Sequence, residues 1–305
     1  MEGRAATFEL DFTPPLDWPF FLRFLGARAT PGVEAVDRGR YVRTVEVDGA
    51  VGKFVVEPHP TFQRLLVTVQ GEAATQARAV LGRVRRMFDL DVDLPSVHAT
   101  LGADPLLRPL LDAAPGIRIP GAWSAFELLV RAIVGQQVAV KAATTIMGRI
   151  VGRLGTPVDG GGDAGPSFLF PSPRAVAEGD LSSIGMPTKR ALALQNVARA
   201  IAGSAIPFPE AGGVVDGVKE ALIELPGIGP WTVEYFALRA LGDADAWPGT
   251  DLILRRAIEP HSDSATTPRG PACWRPYRGY AAMHLWNRAA QEATRSQGPV
   301  RGEKP

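Results

Sequence analysis

The feature that most constrains this chain is a change of hydrophobic period near residue 90. Before it, residues 41–47 (YVRTVEV) alternate apolar and polar side chains, Asp48-Gly49 supplies a two-residue turn, and Val51 to Val56 continues the alternation. Two antiparallel strands joined by a tight hairpin are expected there, with a third at Leu65–Val69. Trp18-Pro19-Phe20-Phe21-Leu22 opens a helix, because proline is tolerated in a first helical turn. After Gly71 the spacing becomes helical: Ala79, Val80, Val84, Met87 and Phe88 share one face, with Arg83, Arg85 and Arg86 beside them. Beyond residue 90 no convincing strand is read. Helices are expected at 105–113, 124–154, 172–179, 188–203, 214–224, 231–241, 251–258 and 276–293, separated by Pro- or Gly-containing breaks. The expected fold is therefore α+β: a small mixed α/β domain over residues 1–90, then an all-helical body over 91–305. The Gly/Asp/Pro stretch at 155–166 is expected to be a flexible loop.

Composition narrows the function. With 46% hydrophobic and 21% charged residues, the 305-residue chain can bury a large core, which excludes a wholly disordered protein. Its formal net charge of +1 excludes a polybasic chain that grips nucleic acid by bulk charge. A single cysteine, Cys273, excludes internal disulfides, cysteine-clamped zinc and a four-cysteine iron–sulfur cluster. The histidines (His59, His98, His261, His284) are scattered, so no side-chain metal site is expected. The opening MEGRAATFELDF lacks the apolar stretch of a signal peptide, and no run of about 20 apolar residues follows. A soluble protein of a reducing compartment, independent of membranes, is expected.

The most informative segment is Leu225-Pro226-Gly227-Ile228-Gly229-Pro230-Trp231-Thr232, set between two amphipathic helices. Two glycines within three residues allow a hairpin whose backbone N–H groups point outward at a helix start, a suitable site for a phosphate. The same spacing also suits an ordinary helix–turn–helix corner. A dinucleotide fingerprint fits less well, since Thr232 stands where its third glycine belongs and a helix precedes the turn. Farther on, Asp251 precedes the apolar run Leu252-Ile253-Leu254, as a helix N-cap does. A helix N-terminus favours an anion, and such a carboxylate can stabilise a cationic transition state if a pocket lies beside it. Four of six tryptophans and three of four tyrosines lie beyond residue 230. Trp231 and Tyr235 are spaced to share a helix face, and such rings attract flat cations. Gly135-Gln136-Gln137 interrupts the apolar run FELLVRAIVGQQVAV, marking either a break against something polar or a solvent-facing patch.

These segments, in order, resemble the helix–hairpin–helix DNA glycosylases, and specifically the AlkA-type DNA-3-methyladenine glycosylases II. The resemblance runs through TPPLDWPFFLRFLGARA, MFDLDVD, AFELLVRAIVGQQVAV, IGMPTKRA, LPGIGPWTVEYFALRA, TDLILRR and YAAMHLW. It implies a TATA-binding-protein-like N-terminal domain and two helical subdomains around an active-site cleft. It also implies a bacterial, cytoplasmic enzyme that works at the nucleoid as a monomer. Such an enzyme flips alkylated purines such as 3-methyladenine and 7-methylguanine out of double-stranded DNA and hydrolyses the N-glycosidic bond, leaving the strand uncut. By position Asp251 matches the catalytic aspartate, and Trp231, Tyr235 and Trp286 match base-pocket aromatics, with Leu252 and Trp18 as further walls. Gly227, Ile228, Gly229 and Thr232 match the phosphate-gripping hairpin, and Gln136 matches a minor-groove glutamine. No cofactor is implied beyond a Na+ or K+ on hairpin carbonyls near Leu225 and Gly227. Two departures stand out. Gln137 replaces a leucine wedge, and Leu252 replaces a tyrosine. Two alternatives stand beside this reading: a related glycosylase for deaminated or oxidised bases, and a non-catalytic module that senses DNA damage.

Overall fold

The computed structural model describes residues 5–158, 165–209, 213, 215–259 and 270–296. Five strands, β1 (Ala5–Asp11), β2 (Glu34–Asp37), β3 (Arg40–Val47), β4 (Ala50–Pro58) and β5 (Arg64–Gly71), form one antiparallel sheet in the order β1-β5-β4-β3-β2. Val47 pairs with Ala50 across the Asp48-Gly49 turn, and both turn residues take positive φ (50° and 79°). That geometry matches the twist of a two-residue hairpin. The three strands expected from alternation are β3, β4 and β5. β1 and β2 add to that reading; β1 alternates as well, with Phe8 and Leu10 turned inward and Glu9 and Asp11 exposed.

One face of the sheet packs on α1 (Trp18–Arg28) and α2 (Ala77–Met87). Tyr41, Val45, Phe54, Val56, Leu65, Val67 and Val69 meet Phe20, Phe21, Phe24, Val84 and Phe88, all buried. Each such side chain contributes about 1.5–3 kcal/mol on leaving water. Asp17 caps α1, its carboxylate accepting from Phe20 N–H at 2.8 Å, and Pro19 fills the first turn. Trp18 belongs to this core, which corrects its expected place in a ligand pocket. Its ring stacks on Phe88 with centroids 5.4 Å apart, and its indole N–H donates to the Gly39 carbonyl at 2.9 Å.

The helices that follow are α3 (Leu94–Leu101), α4 (Arg108–Ala113), α5 (Ala125–Val134), α6 (Val140–Leu154), α7 (Pro173–Glu178), α8 (Thr188–Ala202), α9 (Val218–Ile223), α10 (Pro230–Phe236), α11 (Leu252–Ile258) and α12 (Arg278–Ser296). One π turn, Ala237–Leu241, extends α10. Three expectations are corrected. The single helix expected at 124–154 is two, α5 and α6, because the backbone turns at Gly135–Ala139 and Gln137 takes φ +58°. α3 was not expected; Asp93 starts it by capping Ser96 N–H at 3.3 Å. The region beyond residue 90 also contains a short antiparallel pair, β6 (Thr156–Pro157) and β7 (Phe168–Leu169). That pair ties down both ends of the loop expected to be flexible, and Phe168 N–H donates to the Gly32 carbonyl at 2.8 Å. Residues 159–164 lie outside the described residues.

Two apolar clusters result. One joins the sheet, α1 and α2 to α3, α4, the π turn and α12; the other joins α5 to α10. Elements on both sides of residue 90 thus share the first cluster. Trp286 and Leu241 pack against both clusters, so they mark the seam between them. Among the described residues no helix is long and apolar enough to cross a membrane.

Candidate active site

The hairpin between α9 and α10 is built around a required glycine. Gly227 takes φ +91°, and a Cβ there would lie 2.8 Å from Ala193 Cβ on α8, so both backbone conformation and space exclude a side chain. Ile228 N–H closes the turn on the Leu225 carbonyl at 3.0 Å, and its side chain, buried in the second cluster, anchors the loop. Gly229 is the N-cap of α10 and has open space where a Cβ would point. Thr232 is buried too, with its hydroxyl accepting from the Gln136 amide at 3.1 Å. Of the four hairpin residues singled out in the sequence, Ile228 and Thr232 therefore offer an outside ligand only their backbones.

Gln136 also donates to the Gly227 carbonyl at 3.0 Å. It ties the segment just past α5 to the hairpin, next to Gln137 where the backbone turns. The next residue, Gln137, is exposed at the tip of the break, flanked by exposed Val138 and Val140.

Asp251 caps α11 as its position suggested. Its Oδ1 accepts from Ile253 N–H at 2.9 Å and Leu254 N–H at 3.1 Å. Two indoles converge on the same carboxylate: Trp286 donates to Oδ1 and Trp231 to Oδ2, each at 3.1 Å. Oδ1 thus receives three donors and Oδ2 one, which leaves Oδ2 the freer oxygen. Trp231 stacks on Tyr235 (5.0 Å, 8° between planes), and Tyr235 meets Trp286 edge-on at 6.1 Å. The fold therefore brings Asp251, Trp231, Tyr235 and Trp286 together at the seam of the two clusters. Leu252 and Ile253, 56% and 46% exposed, stand beside Asp251 as an apolar rim.

Two further tryptophans of this C-terminal region are structural. Trp274 is fully buried and donates to Asp104 at 2.7 Å, and Trp247 packs edge-on against it. The residue that sequence reasoning missed is Arg239, in the π turn. It donates to the Tyr235 hydroxyl at 2.8 Å and to the carbonyls of Pro120 at 2.6 Å and Gly121 at 3.3 Å. The available signal was an arginine inside the apolar run FALRAL. Burial alone would raise the Tyr235 phenol, but Arg239, Arg28 and Arg131 outweigh it and hold the phenol below its usual value. Among the described residues no group of three or more His, Cys, Asp or Glu side chains could hold a metal ion.

Residues 7–124 match the family model of the AlkA N-terminal domain, and residues 130–269 match that of the HhH-GPD superfamily base excision DNA repair proteins. DNA-3-methyladenine glycosylase 2 of Escherichia coli (strain K12) is 34% identical over 282 residues, covering 92% of this chain and 96% of that protein. The probable bifunctional transcriptional activator/DNA repair enzyme AlkA of Mycobacterium tuberculosis (strain ATCC 25618 / H37Rv) is 38% identical over 266 residues. That match covers 86% of this chain and 53% of that protein, so the chain spans about half that relative's length. The 3-methyladenine DNA-glycosylase structure from Archaeoglobus fulgidus shares the fold, with a TM-score of 0.72 at 21% identity over 92% of this chain and 97% of that one. The hairpin held at Gly227, the rings of Trp231 and Tyr235 and the helix-start Asp251 sit within the second matched segment, and the chain belongs to the AlkA-type branch of the HhH-GPD superfamily of base excision DNA repair proteins.

Proposed function

We propose that the chain is a monofunctional DNA glycosylase that acts as a monomer on double-stranded DNA and releases alkylated purines of the 3-methyladenine and 7-methylguanine class. The observation that carries this reading is the Asp251 carboxylate, held by two indoles and two helix-start amides with Oδ2 left freest. A base inside a duplex is out of reach, so it is flipped out at a cost of roughly a few kcal/mol, least for a damaged base. Alkylation at N3 or N7 leaves the purine cationic and its glycosidic bond weak. Trp231 has one face covered by Tyr235, so its other face is the one on which a flat cationic ring stacks. As the bond breaks the sugar becomes oxocarbenium-like, and Asp251 Oδ2 stabilises that charge and orients the attacking water. The base leaves with its positive charge neutralised by the departing bond electrons, so no strong general acid is needed.

DNA binding follows from the same geometry. The hairpin's backbone amides and the start of α10 face a phosphate, and Gln137 at the exposed break fills the space vacated by the flipped base. The Leu225 and Gly227 carbonyls each accept one hydrogen bond and keep a second lone pair. This fits a Na+ or K+ held between them and a phosphate, with no reaction step running through it. Acting on chromosomal DNA, the protein works in the cytoplasm. The test is release of free 3-methyladenine and 7-methylguanine from methylated duplex, with deaminated and oxidised duplexes alongside. Release only from the latter would move the substrate class, and no release from any duplex would leave a damage-binding module.

A further inference from the structure

Beside Arg239, the arginine that holds the Tyr235 hydroxyl, and between the sheet domain and the helical body, lies a cavity of about 40 Å3. Six charged side chains from five elements line it: Arg28 on α1, Glu34 on β2, Arg43 on β3, Glu127 and Arg131 on α5, and Arg239 in the π turn. The formal balance is an excess of two positive charges. Both carboxylates are engaged by one arginine. Arg43 forms a two-pronged ion pair with Glu127 and approaches Glu34 at 3.5 Å. Thr30 adds donors to both, its backbone N–H to Glu34 at 3.0 Å and its hydroxyl to Glu127 at 3.2 Å.

The other three guanidiniums form no ion pair and hydrogen-bond only to neutral groups among the described residues. Arg131 donates to the Thr30 hydroxyl at 2.9 Å, and Arg239 to Tyr235 and two carbonyls. Arg28 donates to the Phe24 carbonyl at 3.2 Å and lies over the Phe24 ring, 3.9 Å from its centroid. Arg43 is 4% exposed, and its Nε has no acceptor among the described residues. A guanidinium does not deprotonate in proteins, so burial cannot be relieved by proton loss. An unpaired buried charge costs several kcal/mol, so charge of this kind is normally matched by a counter-ion. Desolvation holds Arg28 and Arg131 below the ordinary arginine range despite the attraction of Tyr235 for both and of Glu34 and Glu127 for Arg131, and Arg239 repels both. The positive field is thus felt by the cations themselves as well as by Tyr235.

We propose that this cavity is a site for one small monovalent inorganic anion of the halide class, which completes the contact between the sheet domain and the helical body. The volume is a few times the ~10–15 Å3 that one water needs, so it takes a spherical ion with a water or two. Arg28, Arg131 and Arg239 are the donors, and the anion acts as a positioning group: through Arg239 it fixes the Tyr235 hydroxyl and the ring wall above it. The inference stands on the interface and does not depend on the glycosylase reading.

The test is thermal unfolding of the full chain in potassium glutamate replaced stepwise by potassium bromide at constant ionic strength, with bromide anomalous diffraction from crystals grown in the same salt. A ligand bound only by the folded state raises Tm along a saturating curve. We expect that curve for bromide and an anomalous peak among Arg28, Arg131 and Arg239. Arg131→Met should abolish the saturating response, and Arg28→Gln, at the less buried edge, should weaken it if Arg131→Met fails to fold. A Tm that moves equally in glutamate and bromide, with no anomalous peak in the wild type, overturns the site. So does a tyrosinate ultraviolet band at neutral pH that bromide leaves unchanged, because Tyr235 itself would then be the counter-charge.

Discussion

The cleft around Asp251 and the cavity beside Arg239 are joined through Tyr235 and carry opposite charge. In the cleft, a carboxylate is met by two indoles and two amides and forms no ion pair among the described residues. In the cavity, three guanidiniums meet no carboxylate within ion-pair distance among the described residues. Tyr235 stands between them, its ring against Trp231 and Trp286 and its hydroxyl on Arg239. The difference shows how a fold keeps one site attractive to cations while using cations to build the other. Neutral donors leave the Asp251 charge uncancelled, as the proposed reaction requires, whereas an arginine beside it would cancel that charge.

The largest effect expected comes from removing the charge on the cleft side. Asp251→Asn keeps a helix N-cap, so folding should be retained. Single-turnover base release should fall by about 10²-fold or more, with duplex binding kept or slightly tightened. Unchanged release would leave Asp251 as a cap alone. Next comes the hairpin, where the approach to DNA depends on amides instead of either charge system. Gly229→Glu meets open space, so it should fold normally. It should weaken binding to damaged and undamaged duplex alike and reduce the slope of log affinity against log salt by about one. Selective loss of one lesion would contradict a phosphate clamp.

What the sequence made legible is the cleft, and what it hid is the cavity. Trp231 and Tyr235 are one helical turn apart, and Asp251 precedes an apolar run, so local spacing alone brings out three of the four converging side chains. Trp18, Trp247 and Trp274 carry no local mark that separates core from pocket, because a tryptophan's surroundings are decided by tertiary packing. Arg43 does carry a mark. In YVRTVEV it shares the inward register of Tyr41 and Val45, which is where an arginine needs a buried partner. That partner, Glu127, comes from another domain, and no periodicity connects the two. The break at Gln137 was masked for a similar reason. The apolar pattern continues on both sides, and the contact that holds the broken segment, from Gln136 to Gly227, reaches a residue 91 positions away.

Breaking the cavity side should give a smaller and different response. Arg239→Met removes three hydrogen bonds and one member of the cation cluster. A net loss of about 1–3 kcal/mol in unfolding free energy is expected, measured by urea unfolding at neutral pH. The Tyr235 phenol should rise, since burial then meets less opposition. The sign is definite: a phenol held below its ordinary value of 10.0 stabilises the folded state above that window and loses the contribution as pH falls. The wild type should therefore gain stability over the variant as pH climbs toward the ordinary tyrosine value. A constant difference across that range would disconnect Arg239 from the phenol.

The smallest effect expected is none at all: the strand should stay uncut after base release. Strand scission by a glycosylase needs a neutral amine that attacks the sugar and forms an imine. The sequence has only five lysines, Lys53, Lys141, Lys189, Lys219 and Lys304, and none lies between the hairpin and Asp251. Lys219, on α9 just before the hairpin, is bound to Glu234 at 2.9 Å and faces Asp243 at 3.7 Å. Burial lowers its ammonium, but the hydrogen bond and charge of Glu234, with Asp243, outweigh that and hold it above the ordinary lysine value. An ammonium so held has no lone pair to offer. Lys53 sits on β4 in the sheet domain. In the proposed reaction Asp251 directs water to the sugar, and a carboxylate cannot make an imine. Borohydride added during turnover should trap no protein–DNA adduct, and breaks should appear only after alkali or heat. An adduct that survives denaturing electrophoresis, and disappears in Lys219→Met, would mean that the Glu234 clamp opens on DNA and that the cleft is not as free of basic groups as its resting geometry indicates.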